Sequence, residues 1–271
     1  MKHPIIAFIG AGNMASYIIK GLIATSFPAE NIIAARRSQQ ALEQLQVNHQ
    51  INITTDNVEA AEKADIIILC VKPAMVKSVL AQLSPLFKNK KPVLASIATG
   101  ITVKQLSDFS NSDLSVIRVM PNLPVATGCG ISSLCASSNT PDTDKQQVEK
   151  IFSAVGMTFW LEEKDYNIAT MLAGSGPALF YRFIEVLVSG ATACDLDLKT
   201  AQQMALHTGL GAYEMLRQMK EDPAVLRGHI TSPGGTTQAA LEVLEKHNFE
   251  ALVKEALDAG VHRAEVLSAD Q

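Results

Sequence analysis

The chain has 271 residues, 47% hydrophobic and 18% charged, with a formal net charge of −4. That composition excludes a disordered chain and offers a nucleic-acid or anionic-membrane role no electrostatic footing. The length suits one large domain or two modest ones.

Residues 4–9 form a short, almost wholly apolar run, as expected of a strand buried on both faces. Gly10-Ala11-Gly12-Asn13-Met14-Ala15 follows, then an amphipathic helix to about residue 24. Strand, glycine turn and helix in that order match the dinucleotide fingerprint. Gly10 makes the tight turn, Gly12 lets a pyrophosphate reach the backbone, and Ala15 supplies the small residue needed for helix–strand packing. Because Gly10, Gly12 and Asn13 interrupt the leading apolar run, it reads as a strand and not a signal peptide.

The alternation continues with a strand at 31–35, a helix at 39–45 and strands at 51–54 and 65–71. A helix at 74–83 and strands at 92–97, 114–120 and 156–161 complete it. Strands separated by helix-length segments predict parallel β-α-β units, so the fold class is α/β with a doubly wound, mostly parallel sheet. An acidic residue after the second strand would bond a ribose 2′-hydroxyl. Arg36, Arg37 and Ser38 stand there instead, and two guanidiniums and a hydroxyl suit a 2′-phosphate. The expected cofactor is therefore NADPH, with NADH less preferred. Residues just beyond the other strand ends are further cofactor candidates: Asn57, Val71, Lys72, Pro73, Ala98, Thr99 and Gly100, with Met120-Pro121-Asn122 beside them.

From residue 165 onward the pattern is helical only. An apolar helix at 166–193 is expected to be interrupted by Gly174-Ser175-Gly176-Pro177, for a close crossing, for ligand room, or for both. Helices at 199–219 and 223–229 follow, then one at 238–247 and a last from 249 to about 267. The division expected is a Rossmann-type NADP(H)-binding domain at 1–163 and an all-helical substrate-binding and dimerisation domain at 164–271. Apolar residues on several helix faces predict a homodimer that exchanges helices. No stretch reads as membrane-spanning length. Of the four cysteines, Cys70 and Cys194 lie in apolar runs and read as buried thiols. With no C-x-x-C spacing, the expected home is a reducing cytoplasm.

Thr231-Ser232-Pro233-Gly234-Gly235-Thr236-Thr237 leads into the helix at 238–247. A helix start carries unpaired N–H groups and partial positive charge, so this loop is a seat for a small anion. The six histidines form no metal pattern, and no nucleophile motif is present. What remains is hydride transfer from a nicotinamide to a small carboxylate-bearing substrate. An imine fits better than a ketone, because neither glycine-rich motif carries a Lys, His or Tyr to handle an oxygen's proton.

On Phe8 to Met14, Val71-Lys72-Pro73, Arg118-Val119-Met120-Pro121-Asn122, Gly174-Ser175-Gly176-Pro177-Ala178 and the loop at 231–237, the chain resembles the pyrroline-5-carboxylate reductase family over essentially its whole length. The resemblance implies reduction of (S)-1-pyrroline-5-carboxylate to L-proline, the final step of proline biosynthesis, and often a pentamer of dimers. It implies that Ser232 and the backbone of Gly235 and Thr236 hold the substrate carboxylate. Thr237, as the catalytic residue, would hydrogen-bond the ring nitrogen. Ala15 at the third fingerprint position and Thr236, where alanine also occurs, are the departures. The alternatives are a β-hydroxyacid dehydrogenase-like enzyme, another imine reductase, or a non-catalytic NADP(H) sensor. The first of these carries a lysine soon after the glycine-rich helix motif, where this chain has Pro177 to Arg182 without one.

Overall fold

A computed structural model describes residues 3–269. Its apolar runs become strands because both faces find cover. In chain order they are β1 (Ile6–Ile9), β2 (Ile32–Ala35), β3 (Asn52–Thr54), β4 (Ile66–Leu69), β5 (Val93–Ser96), β6 (Val116–Pro121), β7 (Gly130–Ala136) and β8 (Gly156–Trp160). Every residue of β1, β2, β4 and β5 is buried. The sheet order is β3-β2-β1-β4-β5-β6-β7-β8. All neighbours are parallel except β6 and β7, whose antiparallel register pairs Pro121 with Ser132.

Helices α1 (Asn13–Ala24), α2 (Gln39–His49), α3 (Asn57–Lys63), α4 (Val76–Phe87), α5 (Val103–Ser110) and α6 (Asp142–Ser153) connect the strands. Alternate strand residues feed two separate cores. Ile6 and Phe8 pack with Ile18, Ile19, Leu42 and Phe152 on one face, whereas Ala7 and Ile9 pack with Leu80, Leu83 and Leu106 on the other. Period-two alternation of burial between two helical layers is the doubly wound arrangement expected from the sequence.

Several elements lie outside the sequence expectations. Helix α3 buries only Ala60 and Ala61, so it shows no apolar stripe, and it begins because the Asp56 carboxylate accepts from the Val58 amide at 2.8 Å. Helix α5 opens with a capping box between Thr102 and Gln105. Strand β7 hides two serines, Ser132 and Ser133, in the sheet, which breaks the apolar signature of a central strand.

The remaining helices are α7 (Tyr166–Ala169), α8 (Gly176–Ala193), α9 (Leu198–Met219), α10 (Pro223–His229), α11 (Thr236–Lys246) and α12 (Phe249–Ala269). The expected interruption at Gly174-Ser175-Gly176-Pro177 does not occur. The helix runs on through a π-helical turn, Thr170–Ser175. A π-turn holds one residue more than an α-turn, and so absorbs a proline that lacks an N–H and crowds the carbonyl four residues back. The uninterrupted run, 163–193, contains an 18-residue window with a mean hydropathy of 1.3 and is long and apolar enough to cross a membrane by length and composition, contrary to the sequence expectation.

The chain divides into two compact units, residues 1–175 with 260–271, and residues 176–259. Within the second unit only Gly176 and Ala201 are buried. Phe180, Phe183, Val186, Leu210 and Tyr213 are all at least half exposed. Such a surface lacks a core of its own and calls for a partner face. Cys194 is exposed, not buried, because it follows the last turn of α8; the buried thiol is Cys135.

Candidate active site

The strand order reverses between β1 and β4. A crevice opens at such a switch point, outside the carboxyl ends of the strands. Gly10 leaves β1 with φ +84°, and a Cβ there would meet Val71 Cγ1 at 2.4 Å, so the turn admits glycine alone. The Gly10 and Ala11 amides both donate to the Ala35 carbonyl, at 2.8 and 3.0 Å. Gly12 differs: a Cβ would meet only the Gly10 carbonyl oxygen, at 3.9 Å. Gly12 caps α1 without a side-chain hydrogen bond, and the first turn, with Asn13 and Met14, carries no acid. Open backbone, uncapped amides and no competing negative charge are what a bound pyrophosphate needs. Ala15 is fully buried beneath them.

Beyond β2 lie Arg36, half-buried, and Arg37 and Ser38, both exposed. Among the described residues neither guanidinium has a carboxylate partner, so both charges are available to an anion. Asn57 begins α3 just past β3, and its amide donates to Gln82 Oε1 at 3.4 Å. Beyond β4, Lys72 is exposed between half-buried Val71 and Pro73. Beyond β5, Ala98 is buried, Thr99 is exposed and Gly100 takes φ +80°. Every residue expected to hold cofactor thus stands at the carboxyl edge of one sheet.

A cavity of about 290 Å³ opens where β5 and β6 end, lined by Thr99, Gly100 and Met120 together with Thr170, Met171 and Gly174 of the helical run. Beneath it, Arg118 on β6 is 5% exposed, ion-paired with Glu163, and stacked 3.8 Å from the centre of the Tyr166 ring. The Tyr166 hydroxyl donates to the Ser133 carbonyl at 3.1 Å, and burial pushes its pKa up. Burial, followed by the nearby Glu163 carboxylate, pushes the Cys135 thiol up to about 11. These polar groups moor the start of the helical run to β6 and β7. In the sequence, Arg118 stands out as a charge inside an apolar strand.

The loop at 231–237 lies in the second compact unit. Gly234 has φ +72°, and its amide donates to Gln238 Oε1 at 2.7 Å. The Gly235 amide donates to the Ser232 carbonyl at 3.0 Å. Helix α11 starts at Thr236, two residues earlier than expected, with Gly235 as an N-cap that offers no side chain. Its leading amides are therefore left to a ligand. Thr231 is not available, because its hydroxyl donates to the Arg227 carbonyl at 2.7 Å. Exposed Ser232 and Thr236, and half-buried Thr237, flank the seat. Gln238, which carries no signal of its own in the sequence, closes the loop and is itself braced by Glu242 at 2.8 Å.

A pyrroline-5-carboxylate reductase from Vibrio alginolyticus is 38% identical over 98% of both chains. The chain belongs to the pyrroline-5-carboxylate reductase family. The family model described as pyrroline-5-carboxylate reductase dimerisation matches residues 163–267, and one described as NADP oxidoreductase coenzyme F420-dependent matches residues 5–100. Among solved structures, a pyrroline-5-carboxylate reductase from Coxiella burnetii is 34% identical, with a TM-score of 0.94 over 98% of this chain and 99% of its own. A pyrroline carboxylate reductase from Plasmodium falciparum, solved with NADP bound, is 31% identical with a TM-score of 0.86 over 99% of each chain. Membership also accounts for the apolar surface of the 163–193 run, since that run lies inside the family's dimerisation segment.

Proposed function

We propose that this chain reduces (S)-1-pyrroline-5-carboxylate to L-proline at the expense of NADPH. The observation that carries the reading is the pairing, in one chain of this family, of a dinucleotide edge with a second, uncapped helix start that offers bare amides and hydroxyls but no charge. Gly10 to Met14 would seat the pyrophosphate. Arg36, Arg37 and Ser38 would hold the 2′-phosphate, and Asn57, Val71 to Pro73 and Ala98 to Gly100 would line the remainder. NADPH, when bound, contributes a hydride to the imine carbon.

The chain's own residues do the positioning. The Ser232 hydroxyl and the Thr236 amide hold the substrate carboxylate, where the dipole of α11 favours it, and the Gly235 amide joins them by giving up its 3.0 Å bond to the Ser232 carbonyl. The Thr237 hydroxyl bonds the ring nitrogen and fixes which face of the imine is presented. A neutral partner suffices, because the imine nitrogen can arrive protonated. Residues 164–271 act as the substrate and dimerisation domain. The assembly is a homodimer, extended to a pentamer of dimers, in a reducing cytoplasm that suits four free thiols.

Spectrophotometric NADPH oxidation with pyrroline-5-carboxylate, with proline identified as the product, tests the reading. Binding of NADPH without turnover would leave the sensor alternative instead, and turnover of β-hydroxyacids would favour the dehydrogenase.

A further inference from the structure

Asn122 stands just past β6, is 5% exposed, and spends its whole side chain on two backbone groups. Its Oδ1 accepts from the Ile131 amide of β7 at 2.8 Å, and its Nδ2 donates to the Ala173 carbonyl at 2.9 Å. The amide orientation follows from the partners, one a donor and the other an acceptor. Ala173 lies in the π-turn, four residues before Pro177. In an α-helix the residue-177 amide would bond that carbonyl; proline has none, and its ring crowds the same oxygen. The Asn122 amide takes the place of the missing N–H. The π-turn in turn forms one wall of the 290 Å³ cavity, where a Cβ on Gly174 would lie 3.3 Å from Met120 Cε.

We infer that Asn122 is a positioning residue for hydride transfer: it holds the Thr170–Ser175 π-turn open and so sets the wall of the cavity at the ends of β5 and β6. That cavity borders Thr99 and Gly100, two of the residues proposed above to line the cofactor; taking them as the stretch under its reactive end makes the inference rest on the proposed function. Closing the turn to α-register would shift every following residue by about 100° around the helix axis. Gly174 would then leave Met120, and the wall would change shape.

Three full-length variants separate positioning from mere support: Asn122→Ala, Asn122→Asp, and Asn122→Ala combined with Pro177→Ala. In Asn122→Ala, kcat/KM for the pyrroline should fall about 10-fold or more, since small displacements of a reacting pair are costly. NADPH affinity, read by fluorescence titration, should stay within about 3-fold because the dinucleotide edge is untouched. Amide hydrogen exchange across residues 170–175 should accelerate. The double variant restores an N–H for the Ala173 carbonyl but in α-register. Its melting temperature should recover toward wild type while kcat/KM stays low, a split that a purely structural role does not produce.

In Asn122→Asp only the protonated carboxyl can donate to Ala173. Its turnover relative to wild type should therefore rise as pH is lowered, with no such rise in Asn122→Ala. If Asn122→Ala does not fold, this pH profile carries the test. Turnover of Asn122→Ala within about 2-fold of wild type, or activity returning together with melting temperature in the double variant, overturns the inference. A wild type inert toward the pyrroline sinks the proposed function instead, while exchange and melting still report on the clamp.

Discussion

Gly10 and Gly12 stand two residues apart in one motif, yet the structure assigns them different work, and alanine at each should separate fold from binding. At Gly10 the backbone is left-handed, φ +84°, which costs a residue with a Cβ about 1–2 kcal/mol. The new methyl would also lie 2.4 Å from Val71 Cγ1, 3.0 Å from the Val71 nitrogen and 3.1 Å from the Cys70 carbonyl carbon. The side chain could turn away, but the two backbone atoms lie just past the end of β4, and displacing them adds overpacking of about 1–3 kcal/mol. The sum, about 2–5 kcal/mol, corresponds to a fall in Tm of roughly 5–15 °C for a unit of this size. At Gly12, where φ is −106°, a Cβ meets one atom at 3.9 Å, so Gly12→Ala should leave Tm within about 2 °C. It should still weaken NADPH binding by about 10-fold or more, because the methyl fills the open approach to the α1 amides. Thermal melts and fluorescence titration on the two variants decide the matter. Equal loss of Tm in both, or unchanged NADPH affinity in Gly12→Ala, would refute the division of labour.

Thr237→Ala should lower kcat/KM by about 10-fold, the equivalent of roughly 1.4 kcal/mol for one oriented hydrogen bond, and steady-state kinetics showing full turnover would remove Thr237 from the mechanism. Replacing Arg36 and Arg37 with alanine should raise the NADPH Kd at least about 10-fold and leave NADH nearly unchanged; an unaltered preference would place the 2′-phosphate elsewhere. Native alkylation near pH 8, followed by peptide mass spectrometry, should modify exposed Cys129 and spare Cys135, which is buried and held protonated by its pKa of about 11. Fast modification of Cys135 would mean that the Glu163 cluster opens readily.

Much of the fold is legible in the sequence, because the informative features are local. An apolar run, a glycine turn and a helix are neighbours in the chain, so β1, Gly10 and α1 could be read together. Elements built from small or polar residues could not. Helix α3 buries alanines, and β7 buries serines whose acceptability depends on partners far along the chain. The interruption expected at Gly174 to Pro177 failed for a similar reason. Helix propensity counts the cost of a proline but cannot see a side chain from just past β6 supplying the donor that the proline lacks.

The sequence alone determined which short-range devices this protein owns: the β1 turn, the basic pair after β2, the bare-amide start of α11, and the alternation that makes a parallel sheet. Each depends on residue types within a few positions of one another. Only the tertiary structure decided that the cofactor candidates share one sheet edge at a strand-order reversal, that β7 turns back antiparallel, and that Arg118 and Asn122 tie the helical run to the sheet. Those outcomes depend on burial and hydrogen-bond completion between segments distant in sequence, which no local pattern encodes.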